Sequence, residues 1–186
     1  MIAYAISDPS TLHFDQNLIG DLERFSRRAD WLLYRDKGNS RYRVNAERLS
    51  VLLSRFPALR FFIHDDIALA RELEADGVHL SGRGAVHLEE AKDAGLFTVA
   101  SAHSIDEARS LERRGVDVVT LSPIFPSPGK GTPLGLNYLR KAMRELKVPI
   151  IALGGIVTPE HLEDVWQIGA YGFASIRYFD SVSEEE

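Results

Sequence analysis

The chain has 186 residues, of which 45% are hydrophobic, enough to bury a substantial core within one domain. It contains no cysteine, which excludes disulfides and thiolate catalysis. A formal net charge of -5 argues against a nucleic-acid surface, because contacts to a phosphate backbone normally need a basic face. No apolar run approaches the ~18 residues of a membrane span, and the amino terminus lacks the pattern of a secretion signal. We expect a single domain over residues 1–186, located in the cytoplasm, with neither a membrane nor a nucleic acid as partner.

Short apolar runs bounded by turn residues recur along the chain, which is typical of β-strands separated by helices. We predict strands at residues 2–6, 30–35, 59–63, 78–80, 96–100, 116–121, 148–153 and 171–176. Helical spacing of apolar residues predicts helices between them, among others at Leu18, Leu22 and Phe25, at Leu49, Leu52, Leu53 and Phe56, and at Leu136, Leu139, Met143 and Leu146. Strands that alternate with helices in this way favour a parallel sheet.

Polar residues and glycines mark the ends of the predicted helices. Asp65 is placed to cap the helix that carries Ile67, and Gly77 is placed to end that helix. Asp66 is then interpreted as an acid in the first turn, where the helix dipole favours a negative charge.

Two later helices carry clearer signals at their first residues. Ser104 and Glu107 have the spacing of a capping box, in which each residue satisfies an amide of the first turn. Thr158 and Pro159 begin the last helix, and Gly169 ends it. We assign its inner face to Leu162, Val165 and Trp166.

Eight strand and helix units predict an α/β fold, a compact (β/α)8 TIM barrel, with a doubly wound open sheet as the alternative. The chain is shorter than the ~250 residues typical of such barrels. Only ten residues follow Ile176 and they include an acidic stretch at 183–186, so we expect no normal last helix. The uncovered barrel face would be a large apolar patch. The first helix should cover part of it, and a homodimer partner is the hypothesis for the rest.

The carboxyl ends of barrel strands face the same way, so residues distant in sequence meet at one mouth. Arg35 and Lys37 follow the second strand, and Lys130 lies in the Pro- and Gly-rich connection at residues 121–135. These cations are suited to a phosphate or diphosphate, and the alternative is that they are ordinary solvated side chains.

A second candidate phosphate site follows the last two strands. Gly154 and Gly155 allow backbone to approach a ligand closely, and barrels often bind phosphate at the loops after strands seven and eight. The amides near Ser175 and Ile176 would join them. Arg177 either adds charge there or lies on the surface.

Other polar residues at the strand ends have two interpretations each. Asp65 is either a metal ligand or the helix cap. His64 and His103 either donate to ligand oxygens or satisfy neighbouring backbone. His79 lies inside a strand and is interpreted as structural. Ser101 has no nearby sign of an activated triad, so ligand binding is favoured over covalent catalysis.

Several motifs point to one family. They read YRDK at 34–37, HDDIALARELEADGVHL at 64–80, SAHSIDEA at 101–108, SPIFPSPGKGTPLG at 122–135, ALGGI at 152–156 and GAYGFASI at 169–176. With these motifs the chain resembles the superfamily of thiamine phosphate synthase and the thiazole tautomerase TenI, over nearly its whole length. The resemblance implies a (β/α)8 barrel, small phosphorylated substrates and a role in thiamine biosynthesis.

The resemblance also implies roles for individual residues. Arg35, Lys37 and Lys130 would hold the diphosphate of a hydroxymethylpyrimidine substrate, and Ser101 would lie beside the pyrimidine. These four residues are the predicted catalytic residues. Asp65 would contribute to a Mg²⁺ site. The predicted substrate-binding residues are His64, His103, Gly154, Gly155, Ser175, Ile176 and Arg177, with the backbone amides after the last two strands receiving a thiazole phosphate.

The chain departs from the synthase pattern at several of these positions. Leu33 replaces a glutamine, His64 an asparagine and Arg177 a serine. Gly84 replaces a second metal-binding aspartate, which should weaken Mg²⁺ binding. In the tautomerase, the catalytic histidine would fall at Pro123, which cannot transfer a proton.

The predicted function is that of a thiamine phosphate synthase-like transferase, which joins hydroxymethylpyrimidine diphosphate to thiazole phosphate and releases pyrophosphate. One alternative is a thiazole phosphate tautomerase that uses His103 as its base. The other is a regulatory or ligand-binding homologue that retains phosphate recognition. An acid near Asp65 that replaces the one missing at Gly84 would favour the synthase.

Overall fold

The computed structural model describes residues 1–180, so the acidic stretch predicted at 183–186 lies outside the described residues. Eight parallel strands close into a barrel in chain order. They are β1 Ile2–Ile6, β2 Trp31–Tyr34, β3 Arg60–His64, β4 Gly77–Leu80, β5 Phe97–Ala102, β6 Val118–Leu121, β7 Ile150–Leu153 and β8 Gly172–Ser175. The prediction of a (β/α)8 barrel is therefore confirmed, and the open sheet is excluded.

Seven α-helices surround the barrel within residues 1–180. They are α1 Leu18–Arg28, α2 Tyr42–Leu53, α3 Ile67–Glu72, α4 Leu88–Asp93, α5 Ile105–Arg113, α6 Gly135–Glu145 and α7 Pro159–Ile168. Two 3-10 helices, Gly84–His87 and Arg177–Phe179, complete the described elements. In this part of the chain, no helix combines the length and the apolar character needed to cross a bilayer.

Alternation along each strand separates two apolar regions. One lies inside the barrel and includes Tyr4, Leu33, Phe62 and Val99. The larger one lies between the strands and the helices, where residues such as Leu32 and Phe61 meet the helical side chains. Because the alternation continues to the carboxyl ends, every second residue there faces the barrel axis.

The 3-10 helix at the end of the described chain covers the face where an eighth α-helix would lie. Phe179 is 1% exposed, and its ring stacks on Phe173 with centroids 5.7 Å apart. From α1, Arg24 donates to the carbonyl of Phe179 and Arg28 to that of Tyr178. Up to residue 180, no α-helix follows β8, as predicted, and α1 takes part in the cover as expected. The homodimer stays a prediction.

Three local predictions are wrong. The cap of α3 is Asp66, whose carboxylate accepts from the N–H of Leu69 at 2.9 Å; Asp65 precedes it with a left-handed φ of 56°. Gly77 is the first residue of β4 and does not end α3; glycine is required there because a side chain would collide with Phe62 and the Phe97 carbonyl. Trp166 is 61% exposed and so does not belong to the inner face of α7.

Candidate functional site

A cavity of about 460 Å³ opens among the carboxyl ends of the strands. All of the predicted site residues except Asp65 line it: Arg35, Lys37, His64, Ser101, His103, Lys130, Gly154, Gly155, Ser175, Ile176 and Arg177. Asp65 lies in a neighbouring cleft, and His64 borders both. The wall also contains apolar side chains, among them Ile6, Leu33 and Leu153. The cavity thus offers an apolar surface beside charged and polar groups.

Cations outnumber acids in the wall of this cavity. Arg35, Lys37, Lys130 and Arg177 line it, and none of them forms an ion pair with another residue of the described range 1–180. Asp8 is the one carboxylate among the lining residues, and its Oδ1 accepts from both the amide and the hydroxyl of Ser10. In a chain of net charge -5, unpaired cations gathered in one cavity favour an anionic ligand.

The long connection that carries Lys130 is anchored on the end of β7. The amide of Ile124 donates to the carbonyl of Leu153, and the amide of Phe125 donates to that of Gly154. The ring of Phe125 also packs on His161 of α7, with centroids 4.2 Å apart. The Ser122-Pro123 peptide bond in this connection is cis. The anchoring brings Lys130 to the cavity from outside the strands.

Gly154 and Gly155 make this anchoring possible. Both have left-handed backbone, with φ values of 97° and 71°. A Cβ atom on Gly154 would lie 2.8 Å from Cα of Pro123, and one on Gly155 would lie 2.5 Å from the carbonyl oxygen of Pro126. The close approach that these glycines permit is therefore to the neighbouring loop, whereas the sequence suggested an approach to a ligand.

Two backbone amides at the same end of the barrel are available to a ligand. The N–H groups of Gly155 and Ile176 take part in none of the loop and turn hydrogen bonds within residues 1–180. By contrast, the hydroxyl of Ser175 is engaged, since it donates to the carbonyl of Ile156 at 2.7 Å and accepts from the amide of Tyr178 at 3.1 Å. The Ser175 side chain thus holds the loop, whereas the amides of Gly155 and Ile176, two residues that line the cavity, are engaged in no loop or turn hydrogen bond of the described range.

The carboxylate of Asp65 is held in place by the backbone of Ser81 and the ring of His64. Its Oδ1 accepts from the amide of Ser81 at 2.7 Å, and its Oδ2 lies 3.4 Å from Nδ1 of His64. A Cβ atom on Gly84 would lie 2.0 Å from Oδ1 of Asp65, so the glycine leaves just enough room for this carboxylate. Within the described range, no three His, Cys, Asp or Glu side chains are grouped to hold a metal ion. Gly84 supplies no carboxylate here, and Asp66 and Glu90, which line the same cleft, do not group with Asp65 into a set of three donors.

His64 is mostly buried between the two clefts. Its pKa is lowered from the ordinary 6.5 to about 4, mainly by burial; Asp65 opposes this shift, and the positive charges of Arg35 and Lys37 add to it. His64 is therefore neutral near pH 7, which means that it can both donate and accept a hydrogen bond at the edge of the cavity.

The low pKa of His64 should make folding stability depend on pH. Between about pH 4 and pH 6.5 the unfolded chain binds a proton at this residue and the folded chain does not, so the free energy of unfolding rises with pH in this window. The full effect is on the order of 3 kcal/mol. We expect His64→Gln to give a shallower slope in urea titrations between about pH 7 and about pH 5. An unchanged slope would contradict this assignment, and His87→Gln, at an exposed position, is the matched control.

His79 and Ser101 form a contact that the sequence did not predict. Nε2 of His79 lies 2.9 Å from Oγ of Ser101, and Nδ1 lies 3.1 Å from the hydroxyl of Tyr4. Its 3% exposure agrees with the interpretation of His79 as a structural residue, but His79 also borders the cavity. Period-two alternation in β4 could have placed it on the inner side.

The geometry of His103 fixes which of its ring nitrogens is free. Nδ1 lies 2.9 Å from the carbonyl oxygen of Ser122, and a carbonyl can only accept, so Nδ1 carries the proton. The neutral imidazole then has its lone pair on Nε2.

The capping box predicted for α5 is confirmed in part. Ser104 accepts from the amide of Glu107, as predicted, but the Glu107 carboxylate accepts from the amide of His103 instead of that of Ser104.

Fold and cavity together define the class of protein as a (β/α)8 barrel with a cationic pocket at the carboxyl ends of its strands. Over residues 3–179 the chain matches the family described as thiamine monophosphate synthase. It therefore belongs to this family, and the resemblance noted from its motifs is confirmed.

Individual relatives agree with this assignment. A protein of Aquifex aeolicus, named provisionally as thiamine-phosphate synthase 2, is 33% identical over 183 residues, which are 95% of this chain and 96% of the relative. Thiamine-phosphate synthase of Lactococcus lactis subsp. cremoris (strain MG1363) is 31% identical over 77% of this chain and 69% of its own. The structure of a thiamine phosphate pyrophosphorylase from Pyrococcus furiosus superposes with a TM-score of 0.82 at 26% identity, over 97% of this chain and 88% of the other. The chain is thus a thiamine phosphate synthase-like enzyme, a transferase of thiamine biosynthesis.

Proposed function

We propose that the protein joins hydroxymethylpyrimidine diphosphate to thiazole phosphate and releases pyrophosphate. The observation that carries this proposal is the set of unpaired cations in the cavity, because both substrates are anions and pyrophosphate leaves as one. The apolar side chains of Ile6, Leu33 and Leu153 offer a surface for the rings of the two substrates.

In this reaction the bond between the pyrimidine methylene carbon and a diphosphate oxygen breaks, and its electron pair leaves with the diphosphate. The lone pair of the thiazole nitrogen forms the new bond to the methylene carbon. Negative charge therefore accumulates on the leaving group, and Arg35, Lys37 and Lys130 are the residues that would stabilise it. Arginine offers a planar pair of donors and lysine a compact charge.

The thiazole phosphate would bind at the ends of β7 and β8. The free amides of Gly155 and Ile176 supply donors, and Arg177 supplies a positive charge beside them. Backbone amides in glycine-containing turns are common anion sites. This placement separates the two anions: the diphosphate lies near the β2 and β6 loops and the monophosphate near the last two strands.

Magnesium is the ion that the family resemblance implies for the diphosphate. We assign no step to the metal, because no set of three donors surrounds Asp65 in the described range; Asp65 is the residue that would contribute to holding the ion, which would supply positive charge to the diphosphate. We expect Asp65→Asn, which keeps an acceptor for the Ser81 amide, to raise the Mg²⁺ concentration at half-maximal turnover at least about tenfold. Asp93→Asn, at an exposed position of α4, is the control. An equal Mg²⁺ response in both variants would exclude Asp65 as a ligand.

A second candidate function, thiazole phosphate isomerisation, is favoured by one observation. The Ser122 carbonyl holds the proton on Nδ1 of His103, so the neutral ring offers Nε2 as a base at the cavity wall. Pro123 occupies the position of the usual tautomerase base and cannot replace it.

Incubation of the purified protein with both substrates and Mg²⁺ tests the proposal. Formation of thiamine phosphate is the expected result. Saturable binding of both ligands without product would contradict the synthase proposal and support the alternative of a ligand-binding protein. Conversion of the thiazole phosphate isomer alone, lost in His103→Gln, would instead support the isomerase.

We further propose that residues 1–186 form a single domain that acts in the cytoplasm on small phosphorylated substrates, with no nucleic acid or membrane as partner. The continuous barrel from Ile2 to Ser175 supports a single domain, and the net charge of -5 argues against a nucleic-acid partner. A homodimer remains part of the proposal, and light scattering that shows a strict monomer at working concentration would remove it.

A further inference from the structure

A chain of buried hydrogen bonds leads from the barrel interior to the cavity. It runs from the Tyr4 hydroxyl through His79 to Ser101 Oγ, which also receives a hydrogen bond from the Thr120 hydroxyl at 3.3 Å. Tyr4 and Thr120 are fully buried, whereas Ser101 is half-buried and lines the cavity. His79 also borders the cavity, but both of its ring nitrogens are already engaged. Ser101 is therefore the member of the chain that can still bond to a ligand.

The number of protons in this chain fixes the direction of its hydrogen bonds. Tyr4, Thr120 and Ser101 each carry one hydroxyl proton, and a neutral imidazole carries one N–H. Three contacts join the four groups, so one of the four protons has no acceptor within the chain. If that proton were on Tyr4 or Thr120, a fully buried donor would be left unsatisfied, which is costly. The unused proton therefore belongs to Ser101, at the cavity.

The neutral state of His79, which this count requires, has a physical basis. The pKa of His79 is lowered to about 3, mainly by complete burial; His64 and Arg35 add to this shift and Asp65 opposes it. The hydroxyl of Tyr4 keeps its proton as well, because burial raises its pKa. Both groups thus keep one defined protonation state near pH 7.

We propose that Tyr4, His79 and Thr120 form a one-way relay that fixes Ser101 as a hydrogen-bond donor to the bound substrate. Tyr4 donates to Nδ1 of His79, and Nε2–H of His79 donates to Oγ of Ser101. The oxygen of Ser101 accepts this bond and that from Thr120, which leaves its own proton for the ligand. Tyr4, His79 and Thr120 are positioning residues in this arrangement.

Two chemical consequences follow. His79 cannot act as the base that activates Ser101, because the nitrogen that faces Ser101 carries a proton; a Ser101 nucleophile is therefore excluded. The substrate atom that meets Ser101 must be an acceptor. For the identity of this atom the inference rests on the proposed function, which makes it an unprotonated pyrimidine nitrogen or a diphosphate oxygen.

The direction of the relay can be tested without substrate. Long-range proton–nitrogen NMR correlations of the ¹⁵N-histidine-labelled protein distinguish a protonated ring nitrogen from an unprotonated one, and loss of the signals in His79→Gln assigns them. We expect Nε2 of His79 to be protonated and Nδ1 unprotonated. The reverse tautomer would overturn the relay, whether or not the protein makes thiamine phosphate.

Turnover tests whether His79 acts through Ser101. We expect Ser101→Ala and His79→Leu each to lower kcat by about 10-fold to 100-fold, the range for losing a hydrogen bond to a charged or strongly accepting atom. The double variant should be no slower than Ser101→Ala alone, within about twofold, because coupled residues are not additive. His79→Gln, whose side-chain amide can still donate to Ser101, should recover part of the rate. Additive losses would overturn the relay, and if His79→Leu fails to fold, the NMR measurement decides.

Discussion

Lys130→Ala is expected to weaken binding of hydroxymethylpyrimidine diphosphate by about 10-fold to 100-fold, as for the loss of one charge-assisted hydrogen bond. Binding of thiazole phosphate should change by less than about threefold, because Lys130 lies on the β6 loop and the proposed monophosphate site lies at the ends of β7 and β8. Turnover should fall by about 100-fold to 1000-fold, since the charge on the leaving group is greatest in the transition state. Titration calorimetry with each ligand alone separates the two affinities.

Lys141→Ala provides the control for this measurement. Lys141 is also a lysine, but it lies on the exposed surface of α6, outside the cavity, and pairs with Glu145 at 3.7 Å. Its removal should change neither affinity. If Lys130→Ala weakened both ligands equally, the division of the cavity into a diphosphate part and a monophosphate part would be wrong.

The barrel fold, and the residues that meet at the carboxyl ends of its strands, could be predicted because both follow from local patterns. Apolar runs give the strands, and the rule that parallel strands end at the same edge brings Arg35, Lys130 and Gly154 together without knowledge of any distance. The cation-rich wall of the cavity confirms this step.

The contacts between side chains could not be predicted, because they depend on stagger between strands. Alternation places His79 and Ser101 inside the barrel, but the register pairs His79 with Val99, and Ser101 with Thr120. The imidazole of His79 reaches Ser101, two residues beyond its register partner Val99, because the strands are tilted in the barrel. The exchange of roles between Asp65 and Asp66 has a similar origin, since the sequence does not reveal the left-handed φ of Asp65 that moves the cap by one residue.

Gly155→Ala should lower the free energy of unfolding by about 2–5 kcal/mol, the sum of a left-handed backbone penalty and a steric one. The added Cβ atom would lie 2.5 Å from the carbonyl oxygen of Pro126 and 2.7 Å from the carbonyl carbon of Phe125. Both are backbone atoms that cannot rotate away, so the β6 loop must shift. Urea denaturation monitored by circular dichroism measures the loss of stability.

Gly95→Ala isolates the steric part of this effect. Gly95 has a φ of 74°, close to the 71° of Gly155, but no atom lies within 4 Å of its added Cβ. Gly95→Ala should therefore lower the free energy of unfolding only by the backbone penalty of about 1–2 kcal/mol, and it should leave turnover unchanged. In Gly155→Ala the displaced loop also carries Lys130, and a shift of about 1 Å at a positioned group can lower the rate by about 100-fold. Equal stability losses in the two variants would show that Gly155 is required only for its φ, whereas a larger loss with weaker diphosphate binding would show that the glycine places the lysine.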